Sequence, residues 1–212
     1  KSTDELFHAC FYHWMLMNKH GDDLLEFQTP FLESYLKENA PDKIWIYNYQ
    51  NGKYAESAVQ LLQTIKDKEN KSKLEERLRL LQVAQSLSQA AHNEILRKEA
   101  TKLEKLGKIQ QALLKRMHEE NLTADESKDE YLMDPQQLFQ ECCDKDYWDL
   151  VLKILAISGI ESEQNGSSRK TIISQVWSNY FNVQLWNKDL NTVRNSIKDL
   201  CSDIAKGSDV ID

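Results

Sequence analysis

Apolar residues recur every three or four positions along almost the whole chain, which is the period of an α-helix with one buried face. The first stripe is Leu6, Phe7, Cys10, Phe11, Trp14 and Met17. It is wide and aromatic and predicts a largely buried helix, opened by a capping box from Ser2 to Glu5. Asn18 to Gly21 should end it, with Gly21 suited to the left-handed position after a helix. A short helix through Leu24, Leu25 and Phe27 follows. Thr29-Pro30 then starts a helix with Phe31, Leu32, Tyr35 and Leu36 inward. Pro41 opens another that carries Ile44, Trp45 and Tyr47.

Gln50-Asn51-Gly52 reads as a turn, and Tyr54, Ala55, Ala58, Leu61, Leu62 and Ile65 form the stripe after it. Together these elements predict an αα-hairpin in which Ala55 and Ala58 let the two backbones approach. A second capping box, Ser72 to Glu75, precedes Leu74, Leu78, Leu81, Ala84, Leu87 and Ala91. A longer helix is expected from Asn93 to Glu120, with Leu96, Ala100, Leu103, Leu106, Leu113 and Met117 inward and Gly107 loosening its middle. Residues 121–134 are polar and acidic and read as an exposed loop. Asp134-Pro135 starts a short helix, Tyr147 to Ile157 forms a strongly apolar one ended by Gly159, and Glu161 to Ser168 reads as a second loop. The last two helices should span Lys170–Gln184 and Asp189–Ala205, the latter with Leu190, Val193, Ile197, Leu200 and Ile204 inward.

The expectation is therefore an all-α chain of ten or eleven helices without a strand. They would form an irregular α-solenoid of stacked antiparallel helices, in segments 1–120 and 135–212 around the loop 121–134. Six Gly and three Pro in 212 residues agree, since hairpin-rich sheets use more of both. No unit repeats at a fixed period, which sets aside the regular repeat families.

Composition narrows the chemistry. A net charge of −7 disfavours tight contact with phosphate backbones. No apolar run approaches the roughly 20 residues of a membrane-spanning helix. The chain does not begin with Met, which suggests a piece of a longer protein. Cys10, Cys142, Cys143 and Cys201 lack paired spacing and read as reduced thiols of a cytosolic or nuclear protein. Three glycosylation-type triplets, starting at Asn70, Asn121 and Asn165, read as chance matches. His8 and His13 are five apart, a poor spacing for metal on one helix face. There is no Gly-rich phosphate loop and no nucleophile elbow. Cys10 beside His13 reads as an inert core thiol rather than a nucleophile. No catalytic residue, cofactor or metal site is expected.

Two features stand out. Between Glu94 and Arg116 lie Arg97, Lys98, Lys102, Lys105, Lys108, Lys115 and Arg116 against Glu94, Glu99 and Glu104. This is either a groove for an acidic partner or nucleic acid, or a solvated face with ion pairs such as Glu94–Lys98 and Glu104–Lys108; the absence of aromatics favours the second. The five tryptophans, Trp14, Trp45, Trp148, Trp177 and Trp186, sit mostly on expected buried faces. Yet Trp177, Tyr180, Phe181 and Trp186 crowd a region where one helix face cannot bury them all, and they are the candidate partner-binding residues.

The run Asp4-Glu5-Leu6-Phe7-His8-Ala9-Cys10-Phe11-Tyr12-His13-Trp14-Met15-Leu16, followed by Leu24-Leu25 and Thr29-Pro30-Phe31-Leu32-Glu33-Ser34-Tyr35-Leu36, resembles the C-terminal solenoid of the large inner-ring scaffold nucleoporins. Ile44-Trp45-Ile46-Tyr47-Asn48-Tyr49, the helix from Tyr54 to Ile65, and the Leu74–Ala91 helix with Arg77 are similar to that family's next segments. Leu138-Phe139, Tyr147-Trp148-Asp149 and Val176-Trp177 match more weakly, as in a divergent, fungal-like version. The resemblance implies a non-enzymatic scaffold component of the nuclear pore complex, at the nuclear envelope, supporting nucleocytoplasmic transport. Its partners would be other nucleoporins, especially disordered linker nucleoporins, with no direct contact to nucleic acid or membrane by this chain. Competing readings are an adaptor or vesicle-coat-like solenoid outside the pore, a helical enzyme with catalytic residues from distant helices and hence a deep polar pocket, and a coiled coil over residues 93–120.

Overall fold

The computed structural model describes residues 4–70, 72–120, 126–158 and 169–208. Within them lie eleven α-helices and no strand. In order they are α1 (Glu5–Met17), α2 (Gly21–Leu24), α3 (Leu32–Asn39), α4 (Ile44–Gln50), α5 (Tyr54–Lys66), α6 (Leu74–Ala90), α7 (Glu94–Glu119), α8 (Pro135–Asp144), α9 (Trp148–Ser158), α10 (Arg169–Asn179) and α11 (Leu190–Ser208). A 3₁₀ turn at Glu126–Asp129 precedes α8, and a π-helical segment, Tyr180–Leu185, continues α10. The helices group into two compact units, residues 1–67 with 83–97 and residues 68–82 with 98–212.

The first unit is built on Tyr12, Met15, Leu24, Leu25, Leu32, Leu36, Ala40, Ile44 and Tyr47. Asp4, not the Ser2 box, caps α1 by accepting from Leu6 N–H and Phe7 N–H; Ser2 lies outside the described residues. The inward face of α1 also differs from the expected stripe. Tyr12 and Met15 are buried, whereas Leu6, Phe7, Cys10, Trp14 and Met17 face outward. The reason is that α2 and α3 pack on the Tyr12/Met15 side only. At the end of α1 the left-handed residue is Lys19 (φ 63°), while His20 N–H bonds to Met15 O at 2.9 Å. Gly21 instead opens α2, where a Cβ would stand 2.7 Å from Lys43 Cε. Thr29 does not cap α3. Its hydroxyl bonds the buried Tyr12 hydroxyl, which also meets His8 Nδ1 at 3.1 Å. The α4–α5 hairpin forms as expected: Gly52 takes φ 73°, Ala58 is fully buried, and Ser57 Oγ donates to Trp45 O at 2.6 Å.

The second unit has its core around Leu106, Leu113, Leu138, Val151, Ile154, Leu155, Val176, Tyr180 and Leu200. Asn93 caps α7 through Leu96 N–H, and Asp134 caps α8 with Pro135 in the first turn. Gly107 does not loosen α7. A Cβ there would lie 2.7 Å from Leu78 Cδ2 and 3.1 Å from Leu132 Cδ1, so its missing side chain admits both leucines against the backbone.

The expected exposed loop 121–134 is also different where it is described. Leu132 and Met133 are buried, because Gln110, fully buried on α7, binds that segment from three sides. Its Nε2 donates to Lys128 O and Tyr131 O at 2.8 Å each, and its Oε1 accepts from Met133 N–H at 2.9 Å. Leu190, expected inward on α11, is exposed, since the helix begins beyond the edge of the core; Leu200 is the buried residue of that face. Gly159, the loop 161–168 and residues 121–125 lie outside the described residues.

Gln110→Leu keeps the volume but strands two carbonyls and one N–H. It should cost about 3 kcal/mol, with proteolysis near residues 126–133 accelerated before global unfolding. Urea denaturation together with limited proteolysis measures both.

Candidate functional site

Polar side chains in the second unit converge on Asp149, at the start of α9. Arg116 of α7 forks onto it, with Nη1 to Oδ1 at 2.7 Å and Nη2 to Oδ2 at 2.6 Å. Gln184 of the π segment closes the other side: Asp149 N–H donates to Gln184 Oε1 at 3.0 Å, and Gln184 Nε2 donates to Asp149 Oδ1 at 3.1 Å. The Arg116 guanidinium also lies over the Tyr147 ring at 5.5 Å. A groove of about 370 Å³ opens above this network, with Lys153, Lys188, Asp199 and Asp203 around it.

Burial would raise the Asp149 carboxyl, but the bonds from Arg116 and Gln184 outweigh it and hold the carboxyl below its ordinary value. The Arg116 guanidinium is held further up by the same pair. Burial and the hydrogen bond to Glu120 push the Tyr147 phenol up to about 12. Asp149 is thus a paired anion and Tyr147 a neutral donor. The arrangement joins α7, α9 and the π segment; it does not present a reacting group. Among the described residues no group of three His, Cys, Asp or Glu side chains could hold a metal ion. No described helix is long and apolar enough to cross a membrane.

The four aromatics singled out in the sequence are only partly gathered. Trp177, Tyr180 and Phe181 form one cluster, with ring centroids 5.8 to 6.1 Å apart. Tyr180 is buried and packs in the core. Trp177 is half-buried and lines an apolar cleft of about 280 Å³ with Leu152, Leu155, Ile173 and Ile204, while Phe181 beside it is 41% exposed. Trp186 stands at the end of the π segment, 77% exposed, and is no part of the ring cluster. The continuous helix expected over 170–184 would have kept Trp177, Tyr180 and Phe181 on one 3.6-residue face. The π turn changes that phase, turning Tyr180 and Leu185 inward together. Trp14, expected in the core, is likewise exposed.

Sequence reasoning missed a larger groove in the first unit. Trp45, Ile46, Tyr49, Tyr54, Val83 and Leu87 line an apolar trough of about 610 Å³. Tyr49 and Tyr54 flank its Gly52 turn with rings 6.0 Å apart. The available signal was the pair of tyrosines bracketing the turn, which the helical period assigned to packing.

The sequence pattern of the non-repetitive/WGA-negative nucleoporin C-terminal family matches residues 1–180. The chain belongs to this family. Curated nucleoporin relatives include a probable nucleoporin of Schizosaccharomyces pombe, 34% identical over 67 residues, and nucleoporin NUP170 of Saccharomyces cerevisiae, 34% identical over 64 residues. The matched stretches are 29% and 27% of this chain but only 5% and 4% of those relatives, so the chain spans a small part of their length. The fold is similar to that of the Chaetomium thermophilum Nup170 C-terminal domain, with a TM-score of 0.69 and 22% identity over 85% of this chain and 35% of that one. The same domain solved in complex with Nup145N matches with a TM-score of 0.67 and 22% identity, over 86% of this chain and 38% of that one. The all-α solenoid class read from the nucleoporin sequence agrees with these structures.

The thiols separate sharply. Burial pushes Cys142 up to about 12 and Cys143 to about 11, while Cys10 and Cys201 are exposed. A maleimide or Ellman titration of the native protein at pH 7 should modify Cys10 and Cys201 quickly, and Cys142 and Cys143 only on unfolding.

Asp149 gives a second expectation. Its folded pKa lies below the ordinary 3.8, so the pair contributes fully above that value and is lost as pH falls through the lower folded value. Asp149→Asn should therefore lower stability by about 2 kcal/mol at neutral pH, and flatten the acid limb of stability below about pH 4, as read by urea midpoints across pH.

Proposed function

We propose that this chain is a non-enzymatic scaffold segment of the nuclear pore complex that docks linear segments of other nucleoporins, disordered linker nucleoporins above all. The observation that carries this reading is the pair of apolar grooves edged by exposed aromatic side chains, one in each compact unit of a chain of the nucleoporin family. The similarity to a Nup170 domain crystallised with Nup145N supports a nucleoporin as the occupant. Its place is then the nuclear envelope, in support of nucleocytoplasmic transport.

The mechanism is passive. Helices held by interior packing keep the grooves open, and an extended or helical partner segment orders on them. Its apolar anchors displace water from the Trp177 cleft or the Tyr49/Tyr54 trough, which gives most of the affinity; charged rims steer the encounter. The acidic balance of the chain argues against nucleic acid as the occupant. The paired state of the Asp149 network argues against catalysis there.

Calorimetric titration of the chain with overlapping peptides from linker nucleoporins, Nup145N included, tests the reading. Saturable binding by one peptide is expected. Phe181→Ala or the Tyr49→Ala/Tyr54→Ala pair should weaken it by about tenfold or more, identifying the groove. Binding that ignores both sets of variants would leave a docking segment with a different site. A folded chain that binds none of the peptides would overturn the reading.

A further inference from the structure

The basic stretch of α7 remains to be placed. Its Lys98, Lys102, Lys105, Ile109 and Ala112 fall three or four apart and so share one helix face. Lys102 meets the end of α9, where its Nζ donates to Ser158 O at 3.3 Å. The next turns of the stripe border a groove of about 420 Å³ whose floor is Ile109, Ala112 and Ile157 and whose rim is Lys105, Lys108 and Lys153, with Asp203 of α11 the one carboxylate lining it. Ala112, between longer neighbours, gives the floor its depth.

The charge at this groove runs against that of the chain. From Lys98 to Arg116 there are six lysines and arginines against two glutamates, in a protein whose net charge is −7. Arg116 is spent on Asp149. Lys108 pairs with Glu104 at 2.8 Å and Lys153 with Asp203 at 2.7 Å. Lys108 and Asp203 are each about half exposed or more. Their partners Glu104 and Lys153 are only 12% and 27% exposed, so each pair has one side open to water, where an incoming carboxylate meets the Lys108 ammonium directly and competes with Asp203 for that of Lys153.

We propose that this groove, floored by Ile109, Ala112 and Ile157 and rimmed by Lys105, Lys108 and Lys153, docks an acidic linear segment of a partner protein that seats an apolar side chain over Ala112. Charge complementarity selects the acid, and the apolar floor selects a peptide over a nucleic acid: no aromatic side chain lines the groove to stack a base. This site is separate from the Trp177 cleft and the Tyr49/Tyr54 trough, and its occupant is defined by chemistry rather than by membership of the pore.

Fluorescence anisotropy of the full chain tests it with three probes. One is a synthetic helical peptide with Leu every fourth residue and Glu or Asp between. The second is the same peptide with Lys replacing every acid, and the third is an oligothymidylate. Saturable binding of the acidic peptide alone is expected, weakening as salt rises. Lys105→Glu/Lys108→Glu should weaken it by about tenfold or more, Ala112→Trp should block it, and Phe181→Ala should leave it unchanged. Lys108 is exposed and Lys105 partly so, and circular dichroism checks that the variants fold. Failure of the acidic peptide to bind, equal binding of the lysine peptide, or a charge-reversed variant within about twofold of the parent overturns the proposal. Tight lysine-dependent binding of the oligothymidylate overturns it in favour of a nucleic-acid site.

Discussion

The connections of the second unit carry bare backbone carbonyls into a helical interior, and two buried polar side chains answer them. Arg77, fully buried on α6, donates to Asn70 O, to Ser72 O at 3.1 Å and to Glu130 O at 3.0 Å. Gln110 donates to Lys128 O and Tyr131 O and accepts from Met133 N–H. A helix satisfies its own amides, but the segments between helices do not, and an unpaired buried amide costs about as much as several surface contacts gain. An irregular helix stack with long connections therefore depends on such residues. They pin the segment before α6 and the segment before α8 to the same body of helices, and the core of Leu106, Leu113 and Leu138 forms around that frame.

A second polar joint works at the other end of the unit. Arg116, Asp149 and Gln184 are drawn from α7, α9 and the π segment, so a single aspartate ties three elements with four hydrogen bonds, three to its carboxylate and one from its N–H. The arrangement is specific in direction as well as in energy, because the guanidinium fork accepts a carboxylate in one plane. The Trp177 cleft and the Ala112 groove both lie beside α9, and their walls are held in register by this joint.

The helical class, the number of helices and most of their boundaries were legible from the 3.6-residue period, since that period survives wherever one face is buried. The hairpin at Gly52, the Asp134-Pro135 start and the Asn93 start followed from residue types with few alternative uses. What period cannot decide is which of two apolar faces meets the core. On α1 both the Leu6/Cys10/Trp14 face and the Tyr12/Met15 face are apolar, and the choice rests on where α2 and α3 pack. Nor does it reveal long-range polar partners. Gln110 looked like any surface glutamine, Thr29 like a cap, and Gly107 like a weak point rather than a place for two leucines. The candidate aromatics divide for the same reason: Trp177 and Phe181 stay together, while Tyr180 turns into the core and Trp186 out to solvent where the helix changes its winding.

That change of winding sets a rule for reading the C-terminal part of the chain. A π turn closes its hydrogen bonds one residue later than an α turn, so six residues, Tyr180 to Leu185, absorb an offset within an otherwise helical rod. Every side chain downstream is rotated by roughly one α-helical step, about 100°, relative to an uninterrupted helix. The segment acts as a phase shifter: it turns both Tyr180 and Leu185 to the interior, two demands that a uniform helix, at about 100° per residue, would set about 140° apart. Removing one residue here would restore the α phase and set those demands against each other, whereas the same deletion in an exposed turn would only shorten a connection.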